Sequence, residues 1–432
     1  MKPRNSTERV ERVTSLEPAR HRSTNPLAVR QPQNLSRQCA WLFAIAMFGY
    51  PIMGNIISVM QIDSRALSIP FRIAVGLFSA WIILISGRLR LGGWRKLMIL
   101  IWFLYVLRLL YDLLFPDLEG ASYALQFFIA ASVLPAIALM KARAFHQRRF
   151  ALVSFLVASA GALSSLLATV FGGADIQEGA LQSGRLSLSA LDHASLGYLA
   201  TNAILCGFIL WRGAGVRTKL CLGILFFPLF WCLILTGSKG PALALVLCMG
   251  IWGFRTRQLW KLLLLSIPVL VFVVASEGSP LAARLSGSAD DESTLDRIVL
   301  LNDSFTQIEG SPIIGSAFVE LKSGFYPHNV FVEAALAMGI PGALLFMALM
   351  TFGAWKAWRS LGTDEALLGL LFFAGLFAAT ISGALFGAIT LWIPIAMLSG
   401  SPRAQRGARG RTSRMEIAAA LPGRVPINSG EA

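Results

Sequence analysis

Four residues, widely separated along the chain, carry compatible chemistry. Arg185 sits in GALQSGRLSLSALDHAS, Lys239 in LTGSKGPALAL, Arg297 in STLDRIVLLNDSF and His328 in GFYPHNVFVEAALAMGIPG. Cations bind diphosphate and stabilise negative charge growing on a leaving group. An imidazole that titrates near pH 6.5 can accept a proton from an attacking hydroxyl. Brought together, three cations and one imidazole suit an anionic, lipid-linked substrate. Each position also has a plainer reading, because an arginine in a loop is most often solvated or salt-bridged. By the same reasoning His193 is expected to cap a helix or to be hydrogen-bonded structure, and Glu333 to be interfacial, on a different helix face from His328. Arg108 and Asp112, four residues apart, are expected to pair within one helix. The acidic run Asp290, Asp291 and Glu292 reads as a solvated loop, and no metal or other cofactor is expected.

The elements that must position these residues follow from composition. Of 432 residues, 55% are hydrophobic and 14% charged, with a mean hydropathy of +0.64. A soluble domain carries about 25% charged residues. A soluble enzyme of several domains is therefore excluded, since so apolar a chain would expose too much apolar surface to water. About twelve apolar segments approach the roughly 20 residues a membrane helix needs. They are 40–60, 66–86, 97–115, 122–140, 150–171, 194–211, 218–236, 241–254, 259–275, 341–355, 366–382 and 384–399. The fold class is an all-α polytopic membrane protein. The bundle spans 39–400, flanked by basic, polar tails at 1–38 and 401–432 that are expected to be disordered. The N-terminal stretch has no early apolar run and does not read as a secretory signal. The five cysteines form no C-x-x-C pair and are expected to be small apolar core residues.

The formal charge of +15 and a pI near 10.2 do not indicate nucleic acid. With twelve spans, most of the 38 Lys and Arg fall on one side, in the N-terminal tail, loops 87–96 and 141–149, later short loops and the C-terminal tail. Positive residues concentrate on the cytoplasmic side, so both termini are expected there, with the basic tails near membrane lipids. The opposite side is acidic and holds only Arg65, Arg72, Arg185, Lys239, Arg284, Arg297 and Lys322. It also holds the one sizeable extramembrane segment, about 276–328.

The stretch from about 185 to 350 resembles the O-antigen ligase and O-antigen or exopolysaccharide polymerase family of bacterial membrane glycosyltransferases. The resemblance rests on GSKG at 237–240, RIVLLNDSFTQIEGSPIIGSAF at 297–318 and PHNVFVEAALAMGIPG at 327–342, together with the upstream Arg185. It departs from the family pattern where Lys239 replaces an arginine, where Leu301 replaces an aromatic and where Gly315-Ser316-Ala317 lacks a second glycine. The resemblance implies a metal-independent, inverting transfer of a glycan from an undecaprenyl-diphosphate carrier. Arg185, Lys239 and Arg297 would hold the diphosphate, with Arg284 as the weaker addition, and His328 would assist the attacking hydroxyl. The acceptor would be lipid A–core in O-antigen ligation to lipopolysaccharide, or a second lipid-linked glycan in polymerisation. The protein would sit in the cell inner membrane with its site facing the periplasm. A transporter or flippase for the lipid-linked glycan is the alternative, although such proteins show internal repeats and midplane polar residues, and no convincing halves are seen here.

Overall fold

The computed structural model describes residues 33–86, 92–115, 118–142, 144–170, 186, 192–259 and 292–400. These residues form helices and connecting turns, with no strand among them. In chain order the helices are α1 (Gln33–Met60), α2 (Ser64–Ile85), α3 (Gly93–Leu114), α4 (Ala121–Ala142), α5 (Gln147–Val170), α6 (His193–Trp211), α7 (Val216–Leu235), α8 (Lys239–Thr256), α9 (Glu292–Gly310), α10 (Val330–Ser360), α11 (Ala366–Ile381) and α12 (Ile389–Ser399). Eight of them, α1 to α7 and α10, are long and apolar enough to cross a membrane. Helices α8, α11 and α12 are shorter, at 18, 16 and 11 residues. The expected segment 259–275 and the two tails lie outside the described residues, as do Arg185, Arg284, Asp290 and Asp291.

Proline stands inside α1 (Pro51), α2 (Pro70), α7 (Pro228), α10 (Pro341) and α12 (Pro394). Membrane helices tolerate proline where neighbouring groups satisfy the freed carbonyls. The middle of α4 widens to a π turn over Phe128–Val133. There the Ser132 hydroxyl donates to the Phe386 carbonyl at 3.0 Å, tying α4 to the turn between α11 and α12. Trp392, fully buried in α12, packs edge-on to Trp102, Phe128 and Phe346 from α3, α4 and α10. Four cysteines are buried, but Cys221 is exposed, so the core expectation fails for that one.

Helix α10 begins at Val330, at the helix start expected near Asn329, and carries on through the apolar segment 341–355; it is broken at Gly339 (φ 69°, ψ 179°). The loop after α9 lodges its main chain in this break. Ile340 N–H donates to the Pro312 carbonyl at 2.7 Å, and Ser316 N–H donates to the Leu336 carbonyl at 2.8 Å. Both Gly315 and Gly339 have positive φ, and a Cβ on either would collide with the other segment's backbone. A glycine pair thus permits a close approach that larger residues would block.

Candidate functional site

The site forms where the loop re-enters the bundle. Asn329 caps α10, its side-chain oxygen accepting from Phe331 N–H at 2.9 Å and Val332 N–H at 3.3 Å. The cap turns the chain and leaves His328 just outside the helix, with φ at +54°. A non-glycine residue in this region stores backbone strain, and such outliers gather at functional sites. The His328 ring is half-buried and lies 4.6 Å, edge-on, from the Tyr326 ring. Its Nδ1 is buried and unpartnered. Burial first, and the Arg297 charge second, push the imidazole below its ordinary pKa; the Ser382 carbonyl and the Asp192 carboxylate oppose this. The net result favours a neutral ring near pH 7, which is the proton-accepting form.

Arg297 lies on α9, and its Nη1 donates to the Ile381 carbonyl at 3.3 Å. This carbonyl ends α11, one residue before Ser382, whose own carbonyl faces His328. Arg297 and His328, separated along the chain, therefore converge on one helix terminus, as expected of one site. The Arg297 charge also reaches the phenols of Tyr326 and Tyr198. Burial raises the Tyr326 phenol above its ordinary pKa, so it remains a proton donor near neutrality.

Lys239 is the first residue of α8, following Gly237 at φ 58° and Ser238. Its side chain is exposed. A helix start presents free N–H groups and a positive dipole end. A Cβ on the neighbouring Gly240 would lie 2.9 Å from the Tyr198 hydroxyl and 3.9 Å from Ile381. The turn that carries Lys239 thus packs close to the α11 terminus that receives Arg297. Leu186, the residue after Arg185, is buried and donates its N–H to the Leu235 carbonyl at 2.8 Å.

Several residues here were not foreseen. Tyr326 and the α11 terminus flank His328, Tyr198 lies against the same terminus, and no spacing in the sequence marks them. Asp192, just ahead of His193, caps α6, accepting from Ser195 N–H at 2.5 Å. Glu333 is a correction. It is fully buried, not interfacial. The Tyr105 hydroxyl donates to one carboxyl oxygen at 2.7 Å, and Leu385 N–H donates to the other at 2.6 Å. It joins α3, α10 and the α11–α12 turn. The clue lay in counting from the cap: Glu333 is one helical turn beyond Asn329, whose carbonyl accepts its N–H at 2.9 Å.

The expected Arg108–Asp112 pair forms, and it does more than neutralise charge. Asp112 accepts from Phe318 N–H at 2.9 Å, and Arg108 donates to the Ser316 carbonyl. On the other flank Gln307 donates to Ser316 Oγ and the Val319 carbonyl and accepts from Leu321 N–H. The loop that leads to His328 is therefore fixed from both α3 and α9. Among the described residues, no group of three His, Cys, Asp or Glu side chains could hold a metal ion.

These features define a polytopic helical membrane protein with cationic, phenolic and imidazole groups gathered where one loop re-enters the bundle. Residues 224–347 match the family model described as O-antigen ligase. The matched segment runs from α7 into α10 and contains Lys239, Arg297 and His328. No curated protein and no solved structure matches the chain.

Proposed function

We propose that this protein transfers a glycan from an undecaprenyl-diphosphate carrier to a sugar hydroxyl of an acceptor at the periplasmic face of the bacterial inner membrane. The acceptor is lipid A–core in lipopolysaccharide O-antigen ligation, or a lipid-linked glycan in O-antigen or exopolysaccharide polymerisation. One observation carries this reading: within the matched ligase segment, a strained, neutral His328 with an open Nδ1 stands beside Arg297.

The acceptor hydroxyl oxygen attacks the anomeric carbon while the bond from that carbon to the diphosphate oxygen breaks. In-line attack inverts the anomeric centre. The hydroxyl proton passes to His328, a contribution of typically 10²- to 10⁴-fold in rate. The leaving diphosphate gains charge, which Arg297, Lys239, Arg185 and Arg284 stabilise. Lys239 provides a single-point charge where an arginine would bind two oxygens at once. With cations already present, the reaction requires no metal.

The test is deletion of the gene, followed by separation of the cell's surface glycans. Loss of long chains from lipopolysaccharide with free polymer retained supports ligation. Accumulation of single repeats supports polymerisation. Unchanged glycans overturn the proposal. Transfer by the purified protein is expected to survive chelation; activity lost in EDTA and restored by Mg²⁺ overturns the metal-independent step.

A further inference from the structure

Two arginines lie within spanning helices near this site, and they are treated differently. Arg108 on α3 has a carboxylate and a carbonyl. Arg72 on α2 has neither a carboxylate partner among the described residues nor a full set of hydrogen bonds. Its Nε donates to the Ser68 carbonyl at 3.1 Å and its Nη2 to Ser68 Oγ at 3.4 Å, both within its own helix. Its Nη1 has no partner, although the residue is only 6% exposed. The guanidinium instead lies 4.8 Å from the centre of the Tyr123 ring and 6.0 Å from that of Phe127. A buried cation inside a membrane span is costly and marks function by default. Ring faces offset part of that cost, but they do not satisfy an N–H.

Arg72 is also connected to the site. Tyr123 packs edge-on to Phe386 at 6.2 Å, Phe386 to Tyr326 at 6.1 Å, and Tyr326 to His328 at 4.6 Å. A row of rings thus leads from the imidazole to the unsatisfied guanidinium. Such rings pack well against the C–H faces of sugars. Tyr123 covers the guanidinium and is itself 42% exposed, with its hydroxyl 3.2 Å from that of Tyr50.

We infer that Arg72 is an anion subsite on the acceptor side, which takes a phosphate group borne by a lipid-anchored acceptor while the acceptor's sugar runs along Tyr123, Phe386 and Tyr326 towards His328. This inference rests on the transfer reading for the word acceptor, but the anion subsite can be tested without transfer. Arginine fits because its planar fork engages two phosphate oxygens.

The experiment uses the full chain in phosphatidylcholine nanodiscs, with and without phosphatidic acid, and separately with inorganic phosphate. The readout is the difference in melting midpoint between wild type and Arg72→Met, which removes the background from cytoplasmic basic residues. Phosphatidic acid is expected to raise the wild-type midpoint more than that of Arg72→Met. In phosphatidylcholine alone Arg72→Met should melt at the same temperature or higher, because an uncompensated buried charge is gone. A lower midpoint with an unchanged phosphatidic acid increment makes Arg72 structural and overturns the inference. An equal increment from inorganic phosphate overturns the lipid assignment. In transfer assays Arg72→Gln should raise the acceptor KM roughly tenfold to a hundredfold, as for a lost charge-assisted hydrogen bond, with the donor KM unchanged and Arg72→Lys intermediate. An acceptor KM that does not move, alongside a lost lipid increment, overturns the acceptor assignment. Absence of any transfer by wild type overturns the proposed reaction, while the nanodisc measurements still decide the subsite.

Discussion

Glu333 and His328 flank the start of the same helix, five residues apart, yet their polar atoms meet opposite fates. Both oxygens of Glu333 are engaged, by Tyr105 and by Leu385, and the residue is fully buried. His328 keeps a buried nitrogen without a partner and holds a backbone angle that costs energy. Buried polar groups are almost always satisfied, so the satisfied one reads as structure and the open one as function. The two are also linked. Glu333 holds the turn whose first residues supply the Ser382 carbonyl to His328 and whose preceding Ile381 carbonyl receives Arg297.

The sharpest way to break this contrast is at His328. Its replacement by alanine is expected to lower the transfer rate about 10²- to 10⁴-fold while the protein remains inserted. His328→Gly should lose as much activity yet melt higher, because glycine adopts the positive φ without strain. Transfer assays beside melting curves in detergent check both, and normal polymer from either variant removes the base from the mechanism. Next in size is Arg297→Gln, expected to cost roughly 10²- to 10³-fold as a lost contact to developing charge. It should also move the pH profile. A base works only when unprotonated, so the rate rises with pH and levels off above a pKa depressed below 6.5. Removing the nearby positive charge relieves part of that depression, so the acid limb shifts upward in Arg297→Gln. A limb that stays in place separates Arg297 from the imidazole.

Smaller effects test the structural half. Glu333→Ala leaves the Leu385 N–H and the Tyr105 hydroxyl buried without an acceptor, at about 1–3 kcal/mol for each such group. The turn then loosens, and kcat should fall by about tenfold or more through misplacement, whereas Glu333→Gln keeps both contacts with Tyr105 turned acceptor and should be near wild type. Equal loss in the two variants shows that the carboxylate charge, not the positioning, matters. Smallest is Asn329→Ala, which removes the cap of α10 for about 1 kcal/mol, read as a lower melting midpoint with transfer only modestly reduced.

Much of the helical layout was legible. The segments 66–86, 97–115, 122–140 and 194–211 each lie within two residues of the C-terminal ends of α2, α3, α4 and α6, give or take a short overrun, because an unbroken apolar run in lipid has only the helix available to satisfy its backbone. The start of helix α10 near Asn329 was legible too, but its apolar segment was bounded only from 341, since the first turns carry Glu333 and run through Gly339 and Pro341, which read as breakers. The loop that fills the break at Gly339 supplies hydrogen bonds there, from Pro312 and Ser316 upstream.

His328 and Arg297 were identifiable from residue type and context, as a histidine ahead of a helix start and a cation in the long extramembrane stretch. Their meeting at the end of α11 was not, nor were the contacts made by Tyr326, Tyr198 and Asp192. Local sequence determined the class of protein, the helix positions and the kinds of chemistry available, because burial in lipid and helix capping act over neighbouring residues. Which groups face one another, which of them are satisfied and which one is left open are decided by contacts between residues far apart in the chain. The carboxyl of Glu333 reaches Tyr105 across 228 positions, and only the folded bundle brings them within a hydrogen bond.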